Sequence, residues 1–392
     1  MLYIGIDVAK LKHDCFITNT DGEALCDVFS FQNSKEGFLK LYSKIKEFEA
    51  DPSSENTRIG LEATGHYDDN LVSFLRKMDV PPVILNPLQV NLYRKGQSLR
   101  KTKTDKSDAK FIAKYLMSEG FKPIPSSSYH SDELKSLTRY RWRLVRVRSN
   151  CKVSYDRLLT LLFPELEGFV GGNPSLTEFN VFLEFPGAGH IADAHLTHLT
   201  NIARKYSRGR FGKEWATGLR KLARDSIGMN SHAKSMELRQ VIEQILFMES
   251  QIEIVEKEIK ALVIKSGTTL MTIPGISYTL AAIITAEIGN IFRFANPDKL
   301  QAFAGLDPSI YQSGQFVGTK DVMVKRGSTY LRWALLMAAR TVSMFEPTFA
   351  EYRDRKTAEG KHYNCAMTHV AKKLIRVIFH LMVTGETYQK KI

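Results

Sequence analysis

Four carboxylates at three places in the chain could act together: Asp7, Glu62, and the pair Asp105 and Asp108. Asp7 sits in the apolar run Leu2-Tyr3-Ile4-Gly5-Ile6-Asp7-Val8-Ala9, which predicts a buried first strand. A charge inside such a strand is costly unless it is paired or binds metal. Glu62 closes a second apolar run, Ile59-Gly60-Leu61-Glu62. Asp105 and Asp108 stand three apart at the head of a helical pattern, so both can project from one face. Singly, these features have ordinary explanations, although Asp7 inside an apolar strand fits them least. A strand-end Asp is usually a turn or salt-bridge residue, and Asp105 reads as a helix cap with Asp108 favoured at the positive helix end. Jointly, oxygen donors gathered from separate segments suit a hard cation such as Mg²⁺, and with it metal-assisted phosphodiester chemistry.

A second reactive candidate is Ser313, in the polar stretch Tyr311-Gln312-Ser313-Gly314. By itself a Ser-Gly pair is an ordinary turn. Here the segment Lys325-Arg326-Gly327-Ser328 and a helix carrying Arg332 and Arg340 could hold a phosphate within its reach. Ser309 follows Pro308 and reads as the start of a turn. Ser328 follows Gly327 and reads as a helix cap. No base is evident beside Ser313; His66 reads as a surface residue, and a metal-bound hydroxide or the four carboxylates themselves are the alternative proton acceptors.

The elements that must position these groups are legible in outline. Residues 1–125 read as α/β, with strands near 2–9, 13–19, 24–31, 58–64 and 82–86. Thr20-Asp21-Gly22-Glu23 is a turn that makes the first three strands an antiparallel meander. Helical patterns lie at 35–49 and 66–78, and a third begins near Asp105 and runs through Ala109, Ile112, Ala113 and Leu116. Together they predict a mixed sheet with flanking helices. The loop Pro123-Ile124-Pro125-Ser126-Ser127-Ser128 marks a domain edge.

Residues 132–165 predict a long basic helix. Leu137, Leu144, Cys151 and Leu158 recur every seven residues, and Arg139, Arg141, Arg143, Arg146, Arg148, Lys152 and Arg157 cover the other faces around Tyr140 and Trp142. Helices usually interleave signs. This one has almost no acidic compensation, which points to a helix that tracks a polyanion. Residues 241–262 carry a 4-3 apolar pattern (Val241, Ile245, Met248, Ile252, Val255, Ile259, Leu262), the seam of a coiled coil about three heptads long. It could pair with the basic helix of the same chain or with another chain. Around Ile273-Pro274-Gly275-Ile276 one helix stops and another starts at Ser277. This is the pattern of a helix-hairpin-helix, whose glycine turn would offer N–H groups to a phosphate.

The net charge is +13, and it is localised. Residues 94–157 carry 17 Lys/Arg against 6 Asp/Glu, and residues 320–392 carry 14 against 6, which leaves the remainder at −6. Two basic regions on a mildly acidic rest imply a polyanionic partner. Cys15, Cys26, Cys151 and Cys365 lack zinc-site spacing and read as reduced thiols of a cytosolic protein. The N-terminus does not look like a signal peptide, and no apolar stretch reaches membrane-spanning length.

Six motifs in order then bring a family into view: Gly5-Ile6-Asp7-Val8-Ala9-Lys10; Glu62-Ala63-Thr64-Gly65; Lys103-Thr104-Asp105-Lys106-Ser107-Asp108-Ala109; Ile273-Pro274-Gly275-Ile276; Gly305-Leu306-Asp307-Pro308 through Ser313-Gly314; and Lys325-Arg326-Gly327. Over nearly its whole length the chain resembles the transposases of the insertion-sequence-110 family, relatives of the Piv-type DNA invertases. The resemblance implies a RuvC-like, ribonuclease-H-type α/β domain at 1–125, with Asp7, Glu62, Asp105 and Asp108 as a DEDD tetrad for Mg²⁺ or Mn²⁺. It implies a mainly α C-terminal transposase domain at 266–392 with Ser313 as nucleophile, joined to the first by a helical, coiled-coil region at 126–265.

The expected partners are double-stranded target and donor DNA and a noncoding guide RNA encoded by the element. The expected location is the prokaryotic cytoplasm, at the nucleoid. Expected nucleic-acid contacts are the six basic residues from Arg139 to Lys152, then Gly275, Lys320, Lys325, Arg326 and Arg332. Strand exchange needs at least two active sites, so a homodimer or homotetramer is expected, with the 241–262 seam as a means of association. A Piv-type invertase or a RuvC-like junction nuclease without guide RNA would use the same residues. A nucleic-acid-binding regulator with an inactive fold is disfavoured by the intact tetrad.

Overall fold

The computed structural model describes the chain apart from residues 50–51, 53–54, 63–65, 98–104, 119–128, 173, 310–311, 314–315, 318–322 and 391–392. At 88, 97, 105–106, 129–131, 312–313 and 316–317 it describes the backbone alone. The chain divides into two compact units, Met1–Ser127 and Ser128–Ile392.

The first unit contains strands β1 (Leu2–Asp7), β2 (Lys12–Thr18), β3 (Phe29–Gln32), β4 (Thr57–Glu62) and β5 (Val83–Leu85). Its helices are α1 (Lys35–Phe48), α2 (Asp69–Lys77), α3 (Pro87–Gln97) and α4 (Asp105–Met117). The sheet order is β3-β2-β1-β4-β5. β1–β2 and β2–β3 are antiparallel, whereas β1–β4 and β4–β5 are parallel. The third strand is later and shorter than the sequence pattern suggests. Ala24 makes only an isolated bridge to Thr18, because the Asn19 side chain accepts the N–H groups of Asp21 and Glu23 and holds that stretch as a turn.

Alternation along β1 sorts its residues between two faces. Ile4 and Ile6 join Ile17, Ile59 and Leu61 in a core closed by Phe38, Leu41 and Ile45 of α1 and Leu71 and Leu75 of α2. Gly5, on the other face, lies under α4. A Cβ there would stand 2.1 Å from the Ala109 carbonyl oxygen and 2.5 Å from the Ala113 nitrogen. Gly60, paired with Gly5 across the parallel strands, would place a Cβ 2.8 Å from Leu116. The two glycines let α4 rest directly on the sheet.

The second unit is almost wholly helical: α5 (Tyr129–Leu162), α6 (Leu176–Glu184), α7 (Ala188–Asp193), α8 (Leu196–Tyr206), α9 (Lys213–Arg224), α10 (His232–Ser266), α11 (Tyr278–Ile288), α12 (Pro297–Ala304), α13 (Thr329–Phe345), α14 (Pro347–Ala358) and α15 (Tyr363–Thr384). A two-stranded hairpin, β6 (Gln312–Ser313) and β7 (Phe316–Val317), lies between α12 and α13. Two cores dominate. Tyr155, Leu158 and Leu162 of α5 pack with Phe179, Phe182, Leu199, Leu219 and Ile242; Ile284 of α11 packs with Leu335 and Val342 of α13 and Leu374 of α15.

The 241–262 seam faces α5 of the same chain. Ile252, Val255 and Ile259 are buried with Leu134 and Leu144. Ion pairs run along the two helices in opposite directions, Arg157 with Glu237, Lys152 with Glu249 and Arg141 with Glu256, so α5 and α10 are antiparallel.

The turn at Gly275 differs from the expected helix-hairpin-helix. The helix before it is a single 3₁₀ turn, Thr269–Thr272. Gly275 has φ +92°, and a Cβ would sit 2.7 Å from the Thr341 carbonyl of α13. Its glycine is required for the packing of backbone on backbone.

Among the described residues no helix is long and apolar enough to cross a membrane.

Candidate active site

In the first unit the acids gather at one edge of the sheet. The register that pairs Gly5 with Gly60 and Ile6 with Leu61, carried one residue further, sets Asp7 and Glu62 side by side. Both lie two residues beyond a glycine that faces α4, so both project toward that helix. α4 runs antiparallel to β1: Ala109 and Ala113 cover Gly5, while Leu116 packs in the cluster with Tyr3. The start of α4, with Asp105 and Asp108, therefore lies beside the carboxyl ends of β1 and β4. The helix N-terminus there adds partial positive charge that favours carboxylates. Asp7 and Glu62 are half-buried and Asp108 is 8% exposed. The Asp105 side chain, Lys103, Thr104 and the segment 63–65 lie outside the described residues.

A cleft of about 320 Å³ opens at this edge, lined by Glu62, Asp108, Phe111 and, from α3, Pro87, Val90, Asn91 and Arg94. Arg94 Nη1 donates to Asp108 Oδ1 at 3.0 Å, and Arg94 Nη2 donates to Asn91 Oδ1 at 2.9 Å. Sequence reasoning found neither α3 nor Arg94. The available signal was Pro87 after Asn86, since proline favours the first turn of a helix. It also missed Asp14, which pairs with Asp7 across β1 and β2, is 4% exposed, and accepts a hydrogen bond from Ser30 Oγ. His13, beside it, turns to the opposite core. Its Nδ1 accepts the Ala9 N–H at 3.3 Å, which ties down the turn after Asp7. Burial lowers the His13 pKa, which favours this neutral form.

Among the described residues no three His, Cys, Asp or Glu side chains close on one another as a metal cluster. The donors at the edge are nevertheless carboxylate oxygens from separate elements, and the buried Asp108 already recruits a cation in Arg94. This donor chemistry fits a hard divalent ion.

In the second unit Ser313 is the last residue of β6, paired with Phe316. Its side chain, Gly314 and Lys320 lie outside the described residues. The base of this excursion is stapled. Pro308 bridges Met323, the Val324 N–H donates to the Asp307 carbonyl at 2.9 Å, and Gln301 Nε2 donates to Asp307 Oδ1 at 2.6 Å. Arg332 Nη1 donates to the Lys325 carbonyl at 3.0 Å and to the Ala304 carbonyl at 3.3 Å. This guanidinium thus braces the loop. Lys325 and Arg326 are exposed.

Ser328 caps α13, as its sequence context predicts: its Oγ accepts the Leu331 N–H at 3.1 Å. The same hydroxyl donates to Glu287 Oε2 at 2.7 Å. Glu287, 2% exposed in α11, takes two further bonds from Arg139, at 2.7 and 3.0 Å. Burial alone would push this carboxyl up. The hydrogen bonds from Arg139 and Ser328 and the charges of Arg139 and Lys135 outweigh burial and hold it below its ordinary range. Glu287 was also missed, although an acid inside Ala281-Ala282-Ile283-Ile284-Thr285-Ala286-Glu287-Ile288 was a visible signal.

The basic helix differs from the sequence reading in one respect: its acidic compensation comes from α10 and α11. Arg139 pairs with Glu287, Arg141 with Glu256, and Arg148 and Lys152 with Glu249. Arg143 and Arg146 are exposed and have no carboxylate partner among the described residues. Instead they lie over the rings of Tyr140 and Trp142 at 5.7 and 5.4 Å.

Comparison with known proteins gives two family matches. Residues 4–164 match a transposase family model of the DEDD, IS110 type, and residues 267–354 match the transposase IS116/IS110/IS902 family. The pilin gene-inverting protein of Moraxella lacunata is 24% identical over 392 residues, covering 100% of this chain and 98% of that protein. The transposase for insertion sequence element IS1111A of Coxiella burnetii is 24% identical over 399 residues, covering 98% of this chain and 91% of that one.

Proposed function

Because the chain belongs to the IS110 family of transposases and is a DNA transposase or recombinase, we propose that it cuts and rejoins DNA with a metal-binding tetrad and a serine nucleophile. The first unit is then a RuvC-like, ribonuclease-H-type domain. The observation that carries this reading is the meeting of the carboxyl ends of β1 and β4 with the start of α4. Asp7, Glu62, Asp105 and Asp108 would hold Mg²⁺ or Mn²⁺. When bound, such an ion polarises the phosphate and stabilises the departing oxygen.

Ser313 Oγ attacks the phosphorus and gives up its proton. The bond to the leaving strand's oxygen breaks, and that oxygen departs as a hydroxyl. The phosphoserine ester conserves the bond energy, so attack by another strand's hydroxyl reseals DNA and frees Ser313 without ATP. Ser313 ends β6 and is followed in sequence by glycine, a residue type that permits close backbone approach to a phosphate, which supports this reading.

Double-stranded target and donor DNA are the substrates, a noncoding RNA of the element is the guide, and two or more copies act together. A second reading, site-specific inversion without a guide, is favoured by the full-length similarity to the pilin gene-inverting protein. Both readings use the same residues.

Trapping with a nicked suicide substrate tests the nucleophile. A protein–DNA adduct is expected, and peptide mapping should place it on Ser313. Ser313→Ala should lose both adduct and recombination. An adduct that persists in Ser313→Ala would transfer the role to another group.

Nucleic-acid binding should depend steeply on salt, through counterion release. Among the described residues Arg143 and Arg146 have no carboxylate to surrender. Changing both to Ala should flatten the plot of log K against log salt by about two units. Arg141→Ala should alter stability more than slope, since Arg141 pairs with Glu256. Equal slopes in all variants would assign these arginines to the fold.

A further inference from the structure

We propose that Arg94 is a catalytic residue of this site, one that grips a nonbridging oxygen of the phosphodiester being cut once a divalent cation has taken over Asp108. The inference rests on the tetrad reading above and adds a substrate contact to it. Arg94 lines the same cleft as Glu62 and Asp108, and that cleft, at about 320 Å³, is large enough to admit a phosphodiester. Its guanidinium is aimed from two sides: Nη1 rests on Asp108 Oδ1, and Nη2 is held by Asn91 one helical turn earlier in α3. α3 begins directly after β5, at the edge of the sheet that carries the acids.

The physical argument is one of exchange. Asp108 is nearly buried, so its charge is costly unless compensated, and a nearby cation lowers that cost. Without a divalent ion, Arg94 serves. Asp108 would be among the residues that hold a divalent ion, and Arg94 Nη1 would then give up that acceptor while Nη2 keeps Asn91. The N–H groups of Nη1, in a cleft that admits a phosphate, are then available to a nonbridging phosphate oxygen as charge-assisted donors. No bond to Arg94 forms or breaks covalently; its charge opposes the negative charge that builds on the phosphorus oxygens.

Two opposite effects follow for Arg94→Gln. With the competitor at Asp108 gone, the metal concentration that half-saturates the Mn²⁺-induced thermal shift, measured without DNA, should fall about tenfold, the scale of outer-shell effects on metal sites. Single-turnover strand cleavage at saturating Mn²⁺ should fall by about 10²–10³, the scale set by removing one oxyanion donor. Arg94→Lys retains charge without the fork. It should need nearly the wild-type metal concentration yet recover only part of the cleavage.

Asp7→Asn serves as the reference in the same titration. If its metal-induced shift equals that of wild type, the tetrad reading fails. If Asp7→Asn loses the shift while Arg94→Gln cleaves normally or requires more metal, the tetrad stands and Arg94 merely holds Asp108. Should Arg94→Gln not fold, Arg94→Lys decides alone: full cleavage overturns the proposal, and partial cleavage at unchanged metal demand supports it.

Discussion

Asp7→Asn is expected to slow strand cleavage by about a thousandfold at saturating Mg²⁺ while the protein stays folded. The substitution keeps shape and removes one charge from the carboxylate row at the end of β1, where Asp14 stands directly across the sheet. Like charges at adjacent positions repel, so the neutral amide should be tolerated or mildly stabilising in the metal-free protein. The loss falls on catalysis. Charge stabilisation by a bound ion contributes several kcal/mol, and each 1.36 kcal/mol is tenfold in rate. Asp105→Asn should behave alike. Single-turnover cleavage beside a thermal melt measures both sides. Cutting at the wild-type rate by both variants would refute the tetrad.

The double change Ile252→Lys and Ile259→Lys should unfold much of the second unit. These residues are 5% and 1% exposed, and they pack with Leu134 and Leu144 of α5 in the same chain. Each substitution removes apolar contact worth about 2–5 kcal/mol and forces an ammonium toward a dry interface. At roughly 2–4 °C per kcal/mol for a unit of this size, the melt should drop by more than about 10 °C, or the protein should not fold. Phe247→Lys with Ile254→Lys is the control, because both side chains are more than half exposed on the same helix; its melt should hold. A double variant that melts normally and only changes its sedimentation would mean that the seam joins chains.

That second case shows how an apolar period can be correct while its partner stays unknown. The 4-3 pattern at 241–262 requires some facing surface, and a helix in the same chain or in another would satisfy it equally. Burial against α5 decided the matter, because α5 offers a complementary apolar stripe and carries the cations that match the acids of α10. The basic helix has the same lesson in charge. Read alone, α5 has eight cations against three acids. Folded, five of them pair with carboxylates at least 80 residues away, and Arg143 and Arg146 are exposed without a carboxylate partner among the described residues. Gly275 is another instance: its turn was visible, but only the α13 backbone packed against it explains the glycine.

Local pattern determined a good deal. One apolar run placed Asp7 in a buried strand, a second ended at Glu62, and Asp105 and Asp108 stand three apart at the start of one helix. These signals arise because strand and helix periods are written into consecutive residues. Arg94, Asp14 and Glu287 carry no such period. Their meaning depends on the register of β1 with β2, on the seating of α4 over Gly5 and Gly60, and on the approach of α5 to α11. Each is a contact between segments distant in sequence. Such contacts are selected by shape and charge complementarity across the core, and a single segment does not contain the surface it will meet.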